Sequence, residues 1–195
     1  MSNIPPSVPS KEDIAVFFDA AGRGKTDVVT EFLDKYGENI INQRDDSGVL
    51  VMTMAAWTGQ KDVLTLLLER GGDINGTNKD GWTPLMWAAV TGRRAVVDLL
   101  LERGASPDIK NKDSDTAAVI ARRHIQPDIE LQIKEASEKR RQRDERQRNQ
   151  ADEQHQRHQE QKEQEEARLA TQAQLEKLKS LRSSKPLLKK NQPKP

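Results

Sequence analysis

Apolar residues in the front two-thirds of the chain recur at intervals of three and four positions, and glycines interrupt them at regular points. Val63, Leu66 and Leu67, for example, have the spacing that places side chains on one face of a helix. Gly59 and Gly92 follow a first apolar stretch, at positions where a tight turn needs a left-handed residue. The pattern therefore predicts pairs of short helices separated by turns.

Two of these helix pairs are copies of one unit. Residues 55–75 align with residues 88–108 at an offset of 33 positions, without a gap. A weaker copy lies upstream, where Gly24 matches the turn glycine, and another lies downstream, where Ile125 replaces it and Pro127 is placed to begin a second helix. A period of about 33 residues predicts a solenoid, in which each unit buries its apolar face only by stacking on its neighbours.

The motif DGWTPLMWAA at residues 80–89, followed by LLLERGA at residues 99–105, resembles the ankyrin repeat. Met86 departs from the histidine that the family often has, and LVMT at residues 50–53 replaces the expected Thr-Pro-Leu, which predicts a less rigid first turn there. The resemblance covers residues 12–133. It implies an all-α fold, an ankyrin-repeat solenoid of about four helix-turn-helix repeats, at residues 14–46, 47–79, 80–112 and 113–133.

The remainder of the chain is polar and differently charged. Residues 1–133 carry a net charge of −5 and residues 134–195 carry +6, which together give the total of +1. We expect a disordered N-terminus at residues 1–11, a long charged C-terminal helix at residues 134–182 and a flexible basic tail at residues 183–195. A single helix is favoured over a coiled coil, because apolar side chains suited to a and d positions begin only at Ala167. The alternative is that this segment is partly disordered. We expect a monomer unless the segment from Leu169 to Leu188 oligomerises.

Candidate chemistry is sparse. The chain has no cysteine, and no stretch approaches the roughly 18 apolar residues of a membrane span, so we expect a cytoplasmic protein, with the nucleus as an alternative. The GRGKT sequence at residues 22–26 fails as a phosphate-binding loop, because the first glycine of that motif would fall at Asp19. His155 and His158, with Glu153, offer too few ligands for a closed metal site. We therefore expect neither an enzyme nor a cofactor.

Function is expected instead at the turn tips and the ends of the first helices, which vary across the ankyrin family. Tryptophan is enriched among binding hot spots, and Trp82, on a tip, is the stronger candidate. Trp57 is also a candidate, with the covering of a neighbouring first helix as a nearly equal alternative. Trp87 is expected to be half-buried by packing. The predicted function is that of a scaffold or adaptor, whose concave face and tips bind a partner protein, a basic one being favoured by the −5 charge. The candidate residues are Asp46, Ser47, Val49, Trp57, Thr58, Lys79, Asp80, Trp82, Val90, Thr91, Lys112, Asp113, Asp115, Arg123 and His124.

A second hypothesis places the function in the charged helix, which is otherwise a spacer or second contact. A basic cluster there would bind nucleic acid, although Asp144 and Glu145 interrupt it and no aromatic residue is available for base stacking. The same cluster would also suit a nuclear localisation signal. Its residues are Lys139, Arg140, Arg141, Arg143, Arg146 and Arg148.

Overall fold

The computed structural model describes residues 8–45 and 47–183. Within these ranges the chain contains helices and turns but no β-strand, apart from a single antiparallel bridge between Arg44 and Leu50. The all-α repeat architecture predicted from the sequence is therefore confirmed. The helices are α1 (Lys11–Gly22), α2 (Thr26–Tyr36), α3 (Glu38–Ile41), α4 (Val51–Thr58), α5 (Lys61–Glu69), α6 (Pro84–Val90), α7 (Arg94–Glu102), α8 (Ala117–Arg123) and α9 (Pro127–Ser183).

The helices of the repeats form two layers. The first helices α1, α4, α6 and α8 stack in chain order, and the second helices α2, α5 and α7 stack beside them. One hydrophobic cluster runs through both layers, from Phe17 in α1 to Ile133 in α9. Small residues such as Ala55 and Ala88 are fully buried between the first helices, where they allow close approach. The stack thus has the continuous core that repeated units require.

A capping box begins the N-terminal helix. Helix α1 begins at Lys11, inside the segment 1–11 for which disorder was expected, because the side chains of Ser10 and Asp13 form a capping box. Asp13 also accepts a 2.8 Å hydrogen bond from the Tyr36 hydroxyl. That bond, followed by those from Ser10, holds the pKa of Asp13 below its ordinary value. The N-terminal helix is therefore tied to α2 by a polar contact as well as by packing.

The turn tips repeat with a period of 33 residues. Asp45, Asn78 and Asn111 each accept, through Oδ1, hydrogen bonds from the backbone N–H groups two and four residues later. This side-chain turn satisfies backbone donors at each tip. The third residue after each of them has a left-handed backbone, with φ of 77° at Gly48, 79° at Gly81 and 63° at Ser114.

A second left-handed position follows each first helix. It is occupied by Gly59 and Gly92, with φ of 86° and 68°, and by Ile125, with φ of 56°. A side chain at Gly59 would begin 2.8 Å from Cδ of Arg93, and one at Gly92 would begin 3.0 Å from Nε2 of Gln126, because a long side chain of the next repeat covers these two turns. Ile125 therefore occupies, in the last repeat, a backbone conformation that favours glycine.

Helix α9 begins at Pro127, as the sequence predicted, and continues without interruption to Ser183. The compact unit that contains the repeats extends to Arg141, beyond the boundary expected at Ile133. In this part of α9, Ser137 donates a hydrogen bond to Asp108 of the repeats, and the Arg141 guanidinium lies 3.8 Å from the same carboxylate. Residues 142–180 form part of a second unit and are helical and exposed throughout.

Candidate functional site

Three tryptophans form a row across the second and third repeats. Trp87 of α6 lies in the middle, with its ring centroid 4.8 Å from that of Trp82 and 6.2 Å from that of Trp57 in α4. The planes of Trp57 and Trp87 are inclined by 59°, so the two rings form a wedge and do not stack. Trp57 is 47% exposed, whereas Trp82 and Trp87 are half-buried. The exposed member of the row is therefore Trp57.

The position of Trp82 corrects the expectation that a tip side chain is free of core packing. Trp82 packs against the hydrophobic core and against Trp87. Its place in the sequence explains this, because it immediately precedes Thr83, the N-cap residue of α6, and Trp87 is the fourth helical residue. These are the two positions of a hydrophobic staple. The motif was therefore readable in the sequence, and it indicates a structural role for Trp82.

Beside Trp57 and Trp87 lies an open recess of about 230 Å³. We call it the aromatic recess. Its lining consists of Asp45, Ser47 and Val49 of the tip before α4, Thr53, Met54 and Trp57 of α4, and Trp87 of α6. Thr53 is 2% exposed, and its hydroxyl has no hydrogen-bond partner among the described residues. The same holds for the Nε1 donor of Trp87. Buried polar atoms are normally paired, so two unpaired atoms in the lining of one recess are a notable feature.

The structure brings together only part of the predicted set. Ser47, Val49 and Trp57 line the aromatic recess, whereas Asp46 lies outside the described residues. The hydroxyls of Thr58 and Thr91 donate 2.9 Å hydrogen bonds to backbone carbonyls of their own helices, so those donors are already used. The other predicted residues lie away from the recess lining.

Most of the remaining tip residues are exposed. Lys79 lies over Gly48, and Asp80 pairs with Lys112 at 3.4 Å in a contact between the tips of adjacent repeats. Asp113 and His124 are exposed, and Val90 is partly buried against the core. Lys79, Asp80, Lys112, Asp113 and His124 therefore add polar groups to the surface of the repeats.

Asp115 requires a correction. It was expected on the binding surface, yet it is 6% exposed and its carboxylate pairs with the guanidinium of Arg123. It directly precedes Thr116, the N-cap residue of α8, so its side chain lies against that helix. The pair is therefore part of the packing of the fourth repeat. Arg123 itself remains largely exposed, with 60% of its side chain accessible.

The basic cluster lies on α9, and all six of its predicted residues are exposed, Lys139, Arg140, Arg141, Arg143, Arg146 and Arg148. Arg141 contacts Asp108, and the Nε of Arg148 donates to the backbone carbonyl of Asp144. Arg141 and Arg148 therefore interact with the chain itself. Nucleic-acid binding by this cluster stays a prediction.

The described residues contain no group of three or more His, Asp or Glu side chains placed to hold a metal ion. A 3.0 Å contact joins the ring of His155 to the Gln159 side chain. No helix in the described part of the chain is long and apolar enough to cross a membrane. The pKa of Asp13 is lowered, and the pKa of Lys35 is raised chiefly by its interaction with the Tyr36 side chain. Both belong to the first repeat, outside the recess lining.

Comparisons with known proteins place the repeats in a family. Residues 17–113 match the model of ankyrin repeats in three copies. An ankyrin repeat-containing protein of Schizosaccharomyces pombe is 46% identical over 66 residues, which are 34% of this chain and 31% of that protein. M-phase phosphoprotein 8 of Homo sapiens is 37% identical over 71 residues, which are 36% of this chain and 8% of that protein.

BCL-6 corepressor-like protein 1 of Mus musculus is 36% identical over 66 residues, which are 34% of this chain and 4% of that protein. The matched region thus spans less than a third of the length of each of these relatives. What they share with this chain is the repeat itself. With the matched region, the 33-residue period and the stacked helix pairs all in agreement, the chain belongs to the ankyrin-repeat family.

Proposed function

We propose that this chain is a protein-interaction module that binds a segment of a partner protein in the aromatic recess. The observation that carries the proposal is Trp57, which is 47% exposed at an open recess of about 230 Å³ although its repeat has a complete core beneath it. Residues 17–113 match the ankyrin-repeat model, and ankyrin repeats are general protein-interaction modules. Binding, and not catalysis, is therefore the proposed activity.

The recess offers a binding segment both apolar area and polar partners. A tryptophan that becomes buried removes a large apolar surface from water, and such residues commonly dominate interface energies. The hydroxyl of Thr53 and the Nε1 of Trp87 would gain the hydrogen bonds that they lack in the unbound chain. Ser47, an exposed residue of the recess lining, would form part of a polar rim around this centre.

The charged helix has a secondary role in the proposal. Its exposed residues from 142 to 180 make it a spacer or a second contact, either of which leaves the recess as the primary site. The names of two relatives, a corepressor-like protein and an M-phase phosphoprotein, motivate a nuclear alternative to the cytoplasmic location. Imaging of the full chain with a fluorescent tag decides between the two compartments.

The experiment compares single substitutions in the full chain. Trp57→Ala should weaken capture of the partner at least about fivefold, the effect of a hot-spot residue worth about 1 kcal/mol or more. The matched control is Val16→Ala, because Val16 is another exposed apolar residue, 51% accessible, on a helix outside the recess. The control should leave capture unchanged, and both variants should unfold at nearly the wild-type temperature.

A photo-cross-linking amino acid at Ser47, an exposed residue of the recess lining, identifies the bound protein directly. The protein cross-linked there should be the one that the Trp57→Ala chain no longer captures. Unchanged affinity of the Trp57→Ala chain, or cross-links at Ser47 only to proteins that this variant still binds, would refute the recess as the binding site.

A further inference from the structure

The three tips build the same turn from two different side chains. Asn78 and Asn111 form it with an amide oxygen, and Asp45 forms it with a carboxylate oxygen. In each case one atom, Oδ1, accepts both backbone hydrogen bonds. An uncharged asparagine therefore satisfies the turn as well as aspartate does. The negative charge of Asp45 is more than the local fold requires.

That additional charge lies in the lining of the aromatic recess, together with Trp57 and Trp87. The faces of aromatic rings attract cations, most strongly for tryptophan, and two tryptophan rings inclined at 59°, with centroids 6.2 Å apart, line the recess. The carboxylate of Asp45 in the same lining adds a Coulombic attraction for the same ligand. Rings and carboxylate together favour a cation over a purely apolar side chain.

We infer that the aromatic recess takes the ammonium group of a lysine side chain on a basic segment of the partner. This inference rests on the proposed function and names the chemistry of the partner. The carboxylate of Asp45 and the hydroxyl of Thr53 accept hydrogen bonds from the ammonium group, and the rings of Trp57 and Trp87 contact its aliphatic stem and its charge. The Nε1 of Trp87 donates to a carbonyl of the same segment.

Two further features agree with this occupant. Residues 1–133 carry a net charge of −5, which attracts basic segments at long range. A planar guanidinium stacks best on one ring or between parallel rings, whereas the wedge of Trp57 and Trp87 suits a compact ammonium. Thr53 and the Trp87 nitrogen are screened from solvent, so the lining must adjust on binding, and Met54 has the unbranched side chain that does so most easily.

The test uses two small probes, one with and one without an ammonium group. Nα-acetyl-lysine N-methylamide and the corresponding norleucine compound, in which hydrogen replaces the ammonium group, are titrated into the full chain, and the tryptophan indole N–H signals are followed by NMR. The lysine probe should shift the signals of Trp57 and Trp87 with a dissociation constant at least about tenfold lower than that of the norleucine probe. Equal binding of the two probes, or no binding of either, would overturn the inference.

Asp45→Asn supplies the matched variant. Since asparagine forms the identical turn at Asn78 and Asn111, this chain should fold normally, with an unfolding temperature within about 2 °C of wild type. Its affinity for the lysine probe should fall about fivefold, and its affinity for the norleucine probe should not change. An unchanged affinity for the lysine probe would show that Asp45 does not recognise the cation.

The two proposals fail separately. If Trp57→Ala abolishes capture of the partner while Asp45→Asn and the probes show no preference for the cation, the recess binds an apolar side chain and the proposed function stands. If the lysine probe binds as expected and Trp57→Ala captures the partner normally, the proposed function is refuted.

Discussion

Ile125 occupies the most strained backbone position in the fourth repeat, so replacing it with glycine should stabilise the protein. Its φ of 56° matches the left-handed conformation of Gly59 and Gly92 at the equivalent turns. The backbone N–H of Ile125 bonds to the carbonyl of Arg122 at 3.2 Å, and that of Gly92 bonds to Ala89 in the same way. The turn is therefore the same, but here a β-branched residue forms it.

The magnitude follows from two opposing terms. A left-handed residue with a Cβ costs roughly 1–2 kcal/mol, and β-branching places isoleucine at the upper end of that range. Glycine returns about 0.5–1 kcal/mol of this through the greater freedom of the unfolded chain. Ile125 is 86% exposed, so its side chain loses little buried contact on removal. The net expectation for Ile125→Gly is a gain of about 1 kcal/mol, or about 4 °C in unfolding temperature.

Thermal unfolding followed by tryptophan fluorescence measures this gain without a signal from the long helix, because Trp57, Trp82 and Trp87 all lie in the repeats. Amide hydrogen exchange of α8 tests whether the gain reaches the last repeat. Ile125→Ala is the matched control, since it removes the same exposed side chain but retains a Cβ, and it should recover less than half of the gain. An unfolding temperature of Ile125→Gly at or below wild type would refute the argument from backbone strain.

Three further substitutions test the fold around the site. Trp82→Ala should lower stability by about 2–3 kcal/mol in a denaturant titration, because Trp82 packs on the core, and a loss below 0.5 kcal/mol would contradict the staple. Gly59→Ala should lose about 1–2 kcal/mol in the same assay, since its Cβ would meet Arg93 in a left-handed turn; unchanged stability would show that the turn relaxes. Tyr36→Phe removes the hydrogen bond that lowers the pKa of Asp13, so NMR titration should show that pKa rising towards its ordinary value. Because the pKa of Asp13 is lower in the folded chain than in the unfolded chain, its contribution to stability is present above the unfolded pKa and is lost as the pH falls through the folded pKa. The Tyr36→Phe chain should therefore lose less stability at acidic pH than the wild type does.

The repeat architecture was predictable because its determinants are local and periodic. The 33-residue offset, the turn residues Gly59 and Gly92, and Pro127 at the start of the last helix each report a backbone requirement at their own position. Stacking then follows, since every unit exposes an apolar face that only its neighbour can cover. For this reason the order of the helices could be derived from the sequence.

The site was less predictable, because it joins residues from different repeats. Asp45 and Val49 belong to the tip before α4, and Trp87 belongs to α6 of the next helix pair. The recess therefore exists only after the helix pairs have stacked. The packing of Trp82 and Asp115 was not foreseen because a tip position was equated with exposure. Each directly precedes an N-cap residue, and a side chain at that position packs against the first turn of the helix that follows.

The strained backbone at Ile125 and the additional charge of Asp45 both depart from the repeat pattern, but they have different causes. Ile125 lowers the stability of a turn that lies outside the lining of the aromatic recess. Asp45 forms its turn without such a loss and places a charge in the recess. If the two are independent, Ile125→Gly should raise the unfolding temperature and leave the affinity for the lysine probe within about twofold of wild type. Asp45→Asn should leave the unfolding temperature unchanged and weaken the binding of the lysine probe. A chain carrying both substitutions should show the two effects added, and a probe affinity that changes with Ile125→Gly would show instead that the last repeat and the recess are coupled through the stacked helices.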